Sequence, residues 1–277
     1  MSRFLLLFTL ILCSRASALV SADTPLFIAG EAFDPQSGSV VYREQHYCDQ
    51  QTLKCNVKYQ DADGVPMLEK RLDYSVQSAA PDFQQLDLRT GRYIEAISGD
   101  ISGERGTQIR IGDVAVSALQ RNVEGMPAHT ADAAVDIIRP AEFDTTLLQA
   151  SDALVIDAGF DNFVRQQWQA LIDGDTVSFS FAVPARGVAV AMSIKPLGKK
   201  KCAALVSDST VSESTASDST VQCFQLSPKN LIYKVFLKPI QLAYDSESRR
   251  LLAFKGLSSI KDNDNNAQVV LIRYRYP

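Results

Sequence analysis

Apolar and polar positions alternate with a period of two along most of this chain, the pattern of strands buried on one face. Strands are predicted over residues 26–33, 39–47, 54–60 and 67–75, with Asp34-Pro-Gln-Ser-Gly38, Asp49-Gln-Gln-Thr-Leu-Lys54 and Asp61-Ala-Asp-Gly64 supplying turn residues between them. The meander continues at 84–88 and 92–98 across Thr90-Gly91, with shorter strands at 109–111 and 114–119 and a short helix at 130–138. The period then changes. Phe160, Phe163, Val164, Trp168, Leu171 and Ile172 fall on one stripe, Asn162, Arg165, Gln166 and Gln169 lie opposite, and Gly174 follows. This predicts an amphipathic helix over 161–172 that packs flat on a sheet, with 145–155 a second helix or part of the same arm. Strands resume at 177–183, 188–194, 221–226, 231–237, 240–244, 251–255 and 269–276. The expected fold class is α+β: one large, curved, mainly antiparallel sheet, a half-barrel or meander, with one or two helices packed on it.

Two of these strands break the one-sided rule. Val177, Phe179, Phe181 and Val183 alternate with Ser178, Ser180 and Ala182, and Val188, Val190, Met192 and Ile194 with Ala189, Ala191 and Ser193. Neither strand carries a charge on either face, so both are expected to be covered on two sides. The amphipathic helix is one cover; the other is a loop, a further sheet layer or a bound apolar ligand.

The first eighteen residues set the address. Met1-Ser-Arg3 is a basic head, residues 4–13 form an apolar run broken by Thr9, and Ala16-Ser-Ala18 is a small-residue cleavage site. These are the parts of a secretory signal peptide cleaved after Ala18, leaving residues 19–277 as a single sheet-rich domain. Ten apolar residues fall short of the about 20 that a spanning helix needs, so the mature chain is not expected to span a membrane. Cys13 leaves with the signal. The other four cysteines admit three pairings, and proximity favours Cys48 with Cys55 and Cys202 with Cys223, an even count suited to an oxidising compartment. Cys48–Cys55 would pin a hairpin tip. Cys202–Cys223 would close a polar, acidic tract in which Ser-Asp-Ser-Thr-Val occurs twice, read here as a disordered loop over 203–222 that the bridge holds between two strands.

Charge and chemistry remove functions more readily than they add them. The chain has 28 basic and 32 acidic side chains, and loss of Arg3 and Arg15 leaves 26 against 32, a net charge of −6. A nucleic-acid partner would need a clustered basic face, and Lys199-Lys200-Lys201 is the only basic run. Only His46 and His129 could serve a zinc site or a Ser-His-Asp triad, and no G-x-S-x-G elbow accompanies them. Ser258-Ser-Ile-Lys261 has S-x-x-K spacing but leads into a turn. The acidic turn Asp262-Asn-Asp-Asn-Asn266 lacks the glycine and closing glutamate of a calcium loop. No phosphate-cradling glycine loop is present. No enzyme, metal or cofactor is expected, and Glu44, Asp61 and Asp63 are the carboxylates an enzyme would have to use.

Ala158-Gly-Phe-Asp-Asn-Phe-Val-Arg-Gln-Gln-Trp168 and Val177-Ser-Phe-Ser-Phe-Ala-Val-Pro-Ala-Arg186, together with Tyr42-Arg-Glu44 and Leu72-Asp-Tyr74, resemble a family of uncharacterised exported bacterial proteins. That resemblance implies a bacterial periplasmic location and transfers no catalytic residue. The order of strands, helical arm and long meander is also similar to the half-barrel of the bacterial lipoprotein-carrier proteins. It too implies a periplasmic location. The uncharged two-faced strands and the helical stripe are read as those of a periplasmic binding or carrier protein for a lipid or other apolar ligand, with Phe160, Phe163, Trp168, Phe179 and Phe181 at the groove. The alternative is a non-catalytic envelope structural or protein-interaction domain in which the same five residues are core.

Overall fold

A computed structural model describes residues 26–101, 104–123, 137–149, 153–208, 221–230, 238–262 and 264–277. The leader at 1–18, the strand expected at 231–237 and nearly all of the helix expected at 130–138 lie outside the described residues, as do 209–220 of the acidic tract. The described strands are β1 (Leu26–Phe33), β2 (Val40–Asp49), β3 (Lys54–Asp61), β4 (Pro66–Asp73), β5 (Asp82–Asp87), β6 (Arg92–Ile101), β7 (Glu104–Asp113), β8 (Asp144–Gln149), β9 (Leu154–Ile156), β10 (Val177–Val183), β11 (Val188–Pro196), β12 (Val221–Pro228), β13 (Ile240–Asp245), β14 (Leu251–Leu257) and β15 (Val269–Arg275). Four helices accompany them: α1 (Val116–Val123), α2 (Gly159–Gln166), α3 (Trp168–Ile172) and α4 (Lys199–Asp208).

All fifteen strands belong to one sheet, antiparallel except where β9 runs parallel to β10. The order follows from the hairpins. From β1 outward each strand pairs with the next until β8 forms one edge; from β15 backward the same rule runs to β9 at the other. β1 and β15, nearly a chain length apart, pair in the middle, with Ala29 opposite Arg275 and Phe33 opposite Leu271. The two edge strands are consecutive in sequence, and the four residues between them reach at most about 17 Å. The turn between β10 and β11 lies against β8: a Cβ added to Gly187, which sits at φ +60°, would be 3.1 Å from Thr146 Oγ1. The sheet therefore curls back on itself as a barrel-like body.

The alternating residues fill its inside in two clusters. Tyr42, Val57, Tyr59, Leu68, Phe83 and Ile109 belong to one, on β2–β7. Phe163, Trp168, Phe179, Met192, Phe224 and Leu242 belong to the other, where α2 and α3 lie on the inner face of β10–β13. Phe254 and Tyr274 touch both. On the outer face α4 packs through Leu205 onto Cys223, Ala243 and Ala253, and Cys202–Cys223 ties it to β12. Elsewhere outside, Leu119 and Ile137 cover Leu86 and Tyr93. That cover is fastened by Glu95, fully buried, which accepts hydrogen bonds from Arg110, Arg139 and the Tyr93 hydroxyl.

Several expectations need correction. Residues 145–149 and 154–155 are not helix but belong to the edge strands β8 and β9, because their threonines and leucines find partners on β7 and β10 that a sequence window cannot see. Residues 114–119 are not a strand: helix α1 starts at Val116, after two residues of irregular backbone. The helix expected over 161–172 is two, broken at Gln167, and Ile172 is 45% exposed instead of lying on the buried stripe. Both predicted disulfides form, and Cys48–Cys55 pins the β2–β3 hairpin as a directly opposed pair. Cys202, however, stands on α4, so residues 203–208 are helix rather than loop and the bridge joins a helix to a strand. Two-sided burial holds for β10, whose Phe179 and Ala182 are buried on opposite faces; it fails for β11, where Ala189 and Ala191 face solvent.

Candidate functional site

The five aromatic residues singled out from the sequence meet inside the second half of the sheet. The register places Phe179 opposite Met192 and Phe181 opposite Val190, with both aromatic side chains on the face that receives α2 and α3. Phe163 of α2 stacks at 4.9 Å on Phe179. Trp168 of α3, 3% exposed, meets Phe224 edge-on at 5.5 Å and Tyr244 at 5.8 Å. Phe160, half-buried, reaches Phe254 at 6.1 Å. These are the offset and edge-to-face distances of packed aromatic pairs, each worth about 0.5–1.5 kcal/mol beyond its area.

Sequence reasoning missed what lies beside this cluster. Lys70 of β4 is 3% exposed and donates to both carboxylate oxygens of Asp157, each at 2.9 Å. Its ammonium also lies 5.3 Å from the Tyr59 ring centroid and 5.5 Å from that of Phe83. Asp157 follows β9 and precedes α2 at φ +45°, a left-handed conformation that a non-glycine residue holds only when its surroundings compel it. Here the Lys70 pair and the Ala158 amide, which donates to Oδ1 at 2.7 Å, compel it. The pair links the first half of the sheet to the root of the helical arm.

A second buried carboxylate, Glu44 of β2, stands nearby. Burial alone would raise its pKa, but contacts with the His46 ring, the Tyr274 hydroxyl and the Lys70 ammonium outweigh burial and hold the carboxyl below the ordinary glutamate value. His46 Nε2 is 3.1 Å from Glu44 Oε1. Gly30 makes the room: a Cβ there would sit 2.5 Å from Glu44 Cγ. Around these charges burial pushes the phenols of Tyr59 and Tyr274 far above their usual range. Asp161, on α2 beside Arg165 and the Tyr244 hydroxyl, behaves oppositely to Glu44, since burial prevails and raises its pKa. Of the carboxylates named from sequence, Glu44 is interior, whereas Asp61 caps its own turn by accepting from the Asp63 and Val65 amides. His129 lies outside the described residues.

The signal for the buried charges was present. Lys70 is in phase with Leu68 and Leu72, and Glu44 and His46 are in phase with Tyr42, so each ionisable group occupies a core-facing position of its strand.

No protein-family model matches the chain, and no curated protein sequence does. Among solved structures it is similar to the beta-barrel-like protein of domain of unknown function DUF1849 from Brucella abortus, at 8% identity and a TM-score of 0.37, over 92% of this chain and 98% of that one. Among the described residues no helix is long and apolar enough to cross a membrane.

Proposed function

We propose that this chain is a non-catalytic scaffold of the bacterial envelope whose interior is its own core and whose partners bind its exterior. The observation that supports this most is the occupation of the inner face by the protein itself. Phe163 and Trp168 fill the concavity of β10–β13 against Phe179, Phe224 and Tyr244 at packing distance, and the charges beside them are paired. An apolar ligand in the same place would have to displace α2 and α3, at the cost of burying those side chains nowhere. The export address rests on the leader-like segment 1–18 and on two disulfides, which suit an oxidising compartment.

Native mass spectrometry of the protein purified without detergent, before and after organic extraction, tests the reading. The expected result is the mass of the polypeptide with both disulfides closed, unchanged by extraction. A stoichiometric lipid mass that extraction removes would overturn it and reinstate the carrier, with the helical arm as the part that moves.

A further inference from the structure

The Lys70–Asp157 pair at the root of the helical arm is held as reactants are held. We propose that the two side chains condense to an amide between Lys70 Nζ and Asp157 Cγ, an isopeptide bond that staples β4 to the start of α2. Both carboxylate oxygens lie 2.9 Å from Nζ. That equidistance leaves Nζ no more than about 3.3 Å from Cγ, the separation of reacting atoms in a near-attack geometry. The two residues are 87 positions apart in the chain, so it is the fold that brings them together. Placement of this kind is equivalent to an effective concentration of about 10⁵–10⁸ M, which offsets the unfavourable equilibrium of amide formation in water.

The surroundings supply the rest of the chemistry. Lys70 is buried with its Nζ over the Tyr59 and Phe83 rings, which keep away the water that would solvate the amine and reverse the reaction. Asp157 Oδ1 accepts from the Ala158 amide at 2.7 Å, a donor aimed where negative charge grows when Nζ adds to Cγ. The left-handed backbone at Asp157 fixes the carboxylate in that place. Glu44 is the proton carrier: it is buried, and near enough to Lys70 for the ammonium to help hold its carboxyl below the ordinary glutamate value, so it stands ionised and ready to accept. In the step itself the ammonium gives one proton to Glu44, and the freed electron pair of Nζ attacks Cγ. The tetrahedral carbon then expels one oxygen, which leaves as water with the proton returned by Glu44 and the second proton shed by nitrogen. One C–N bond replaces one C–O bond, no electron acceptor is needed, and a buried ion pair becomes a neutral amide that carries no charge to desolvate. The bond goes beyond the scaffold reading and does not depend on it, since it joins two parts of the chain whether or not the interior carries a lipid.

Mass spectrometry of the denatured full chain with both disulfides reduced tests the proposal. The expected mass is about 18 Da, one water, below that of the reduced polypeptide, and a tryptic digest should contain a peptide pair joined through Lys70 and Asp157. Lys70→Arg keeps the positive charge but forms no such bond, and should show the full mass. Glu44→Gln leaves both reactants in place and should form the bond about a hundredfold more slowly, read as the fraction joined with time after refolding, with circular dichroism to show that the variant is folded. Full mass in the unaltered protein overturns the proposal. The same loss of water persisting in Lys70→Arg marks a succinimide made by Asp157 with the Ala158 amide, and overturns it equally. An unchanged rate in folded Glu44→Gln overturns the role given to Glu44, and if that variant does not fold, the joined peptide pair in the unaltered protein still decides. Organic extraction leaves the shortfall in place, whereas a carried lipid adds mass that extraction removes, so failure of the bond and failure of the scaffold reading are read separately.

Discussion

Strands β2–β5 line the interior with charges and phenols, Glu44, His46 and Lys70 among Tyr42 and Tyr59, whereas β10–β13 line it with Phe179, Met192, Phe224 and Leu242 and receive two helices. An apolar interior is held by non-directional burial, so it tolerates side chains of similar volume and suffers mainly from truncation. A charged interior is held by named partners, so it suffers from changes that keep volume and alter charge. One sheet thus contains two kinds of core, joined where Lys70 of the first grips Asp157 at the root of the second's helical arm.

Truncation of the apolar core is expected to have the largest effect. Trp168→Ala removes the ring that packs on Phe224 and Tyr244, and should cost about 3–5 kcal/mol in urea unfolding, while Phe179→Leu should cost less than half as much. Equal losses would show that the helical arm is held by specific geometry rather than burial. Next comes the link between the halves. Asp157→Asn keeps the size and the tolerance of positive φ but leaves the Lys70 ammonium buried without its carboxylate, at an expected cost of about 3 kcal/mol. The double variant Lys70→Met/Asp157→Asn should be more stable than Asp157→Asn alone. If it is less stable, the pair contributes more than the charge it neutralises, and the contrast between the two cores weakens. A smaller loss, about 1–3 kcal/mol, is expected for Gly30→Ala, whose new methyl would push Glu44 away from His46; Ala32→Gly on the same face should leave that contact intact by proton chemical shifts of His46.

These contrasts bear on what could be read from sequence. The strands were legible because each buries one face and alternates accordingly: β1, β3 and β10 fall where the pattern puts them to within a residue. The hairpin order followed from turn residues. The pairing of β1 with β15 was not legible, since nothing local to Leu26–Phe33 or Val269–Arg275 names the other. β8 and β9 were lost for the same reason: Thr145, Thr146 and Leu147 are compatible with either state until β7 supplies hydrogen-bond partners. The aromatic cluster was found because its members share a stripe or a face. Lys70 was overlooked, and Glu44 was named as a carboxylate without its inward position, although both stand in phase with core residues, because a lone charge inside an alternating run was read as polar rather than as a position facing inward.

The smallest expected effect is also the most selective, because the two cores should respond to acid with opposite sign. Glu44 has a depressed folded pKa, so the stability it contributes is complete above the unfolded value of about 4.3 and is lost as pH falls through the folded value. Asp161 has a raised folded pKa caused chiefly by burial, so its ionisation opposes folding at neutral pH, and that cost is relieved as pH falls through the raised value toward the unfolded value of about 3.9. Each pKa unit corresponds to about 1.4 kcal/mol. Chemical denaturation of the protein, Glu44→Gln and Asp161→Asn at a series of pH values between about 7 and 3 should therefore show differences of opposite slope. Relative to the unaltered protein, Glu44→Gln should gain stability on acidification and Asp161→Asn should lose it. Parallel slopes would mean that one environment governs both carboxylates, and the division of the interior into a partnered charged core and a merely buried one would fail at its sharpest point.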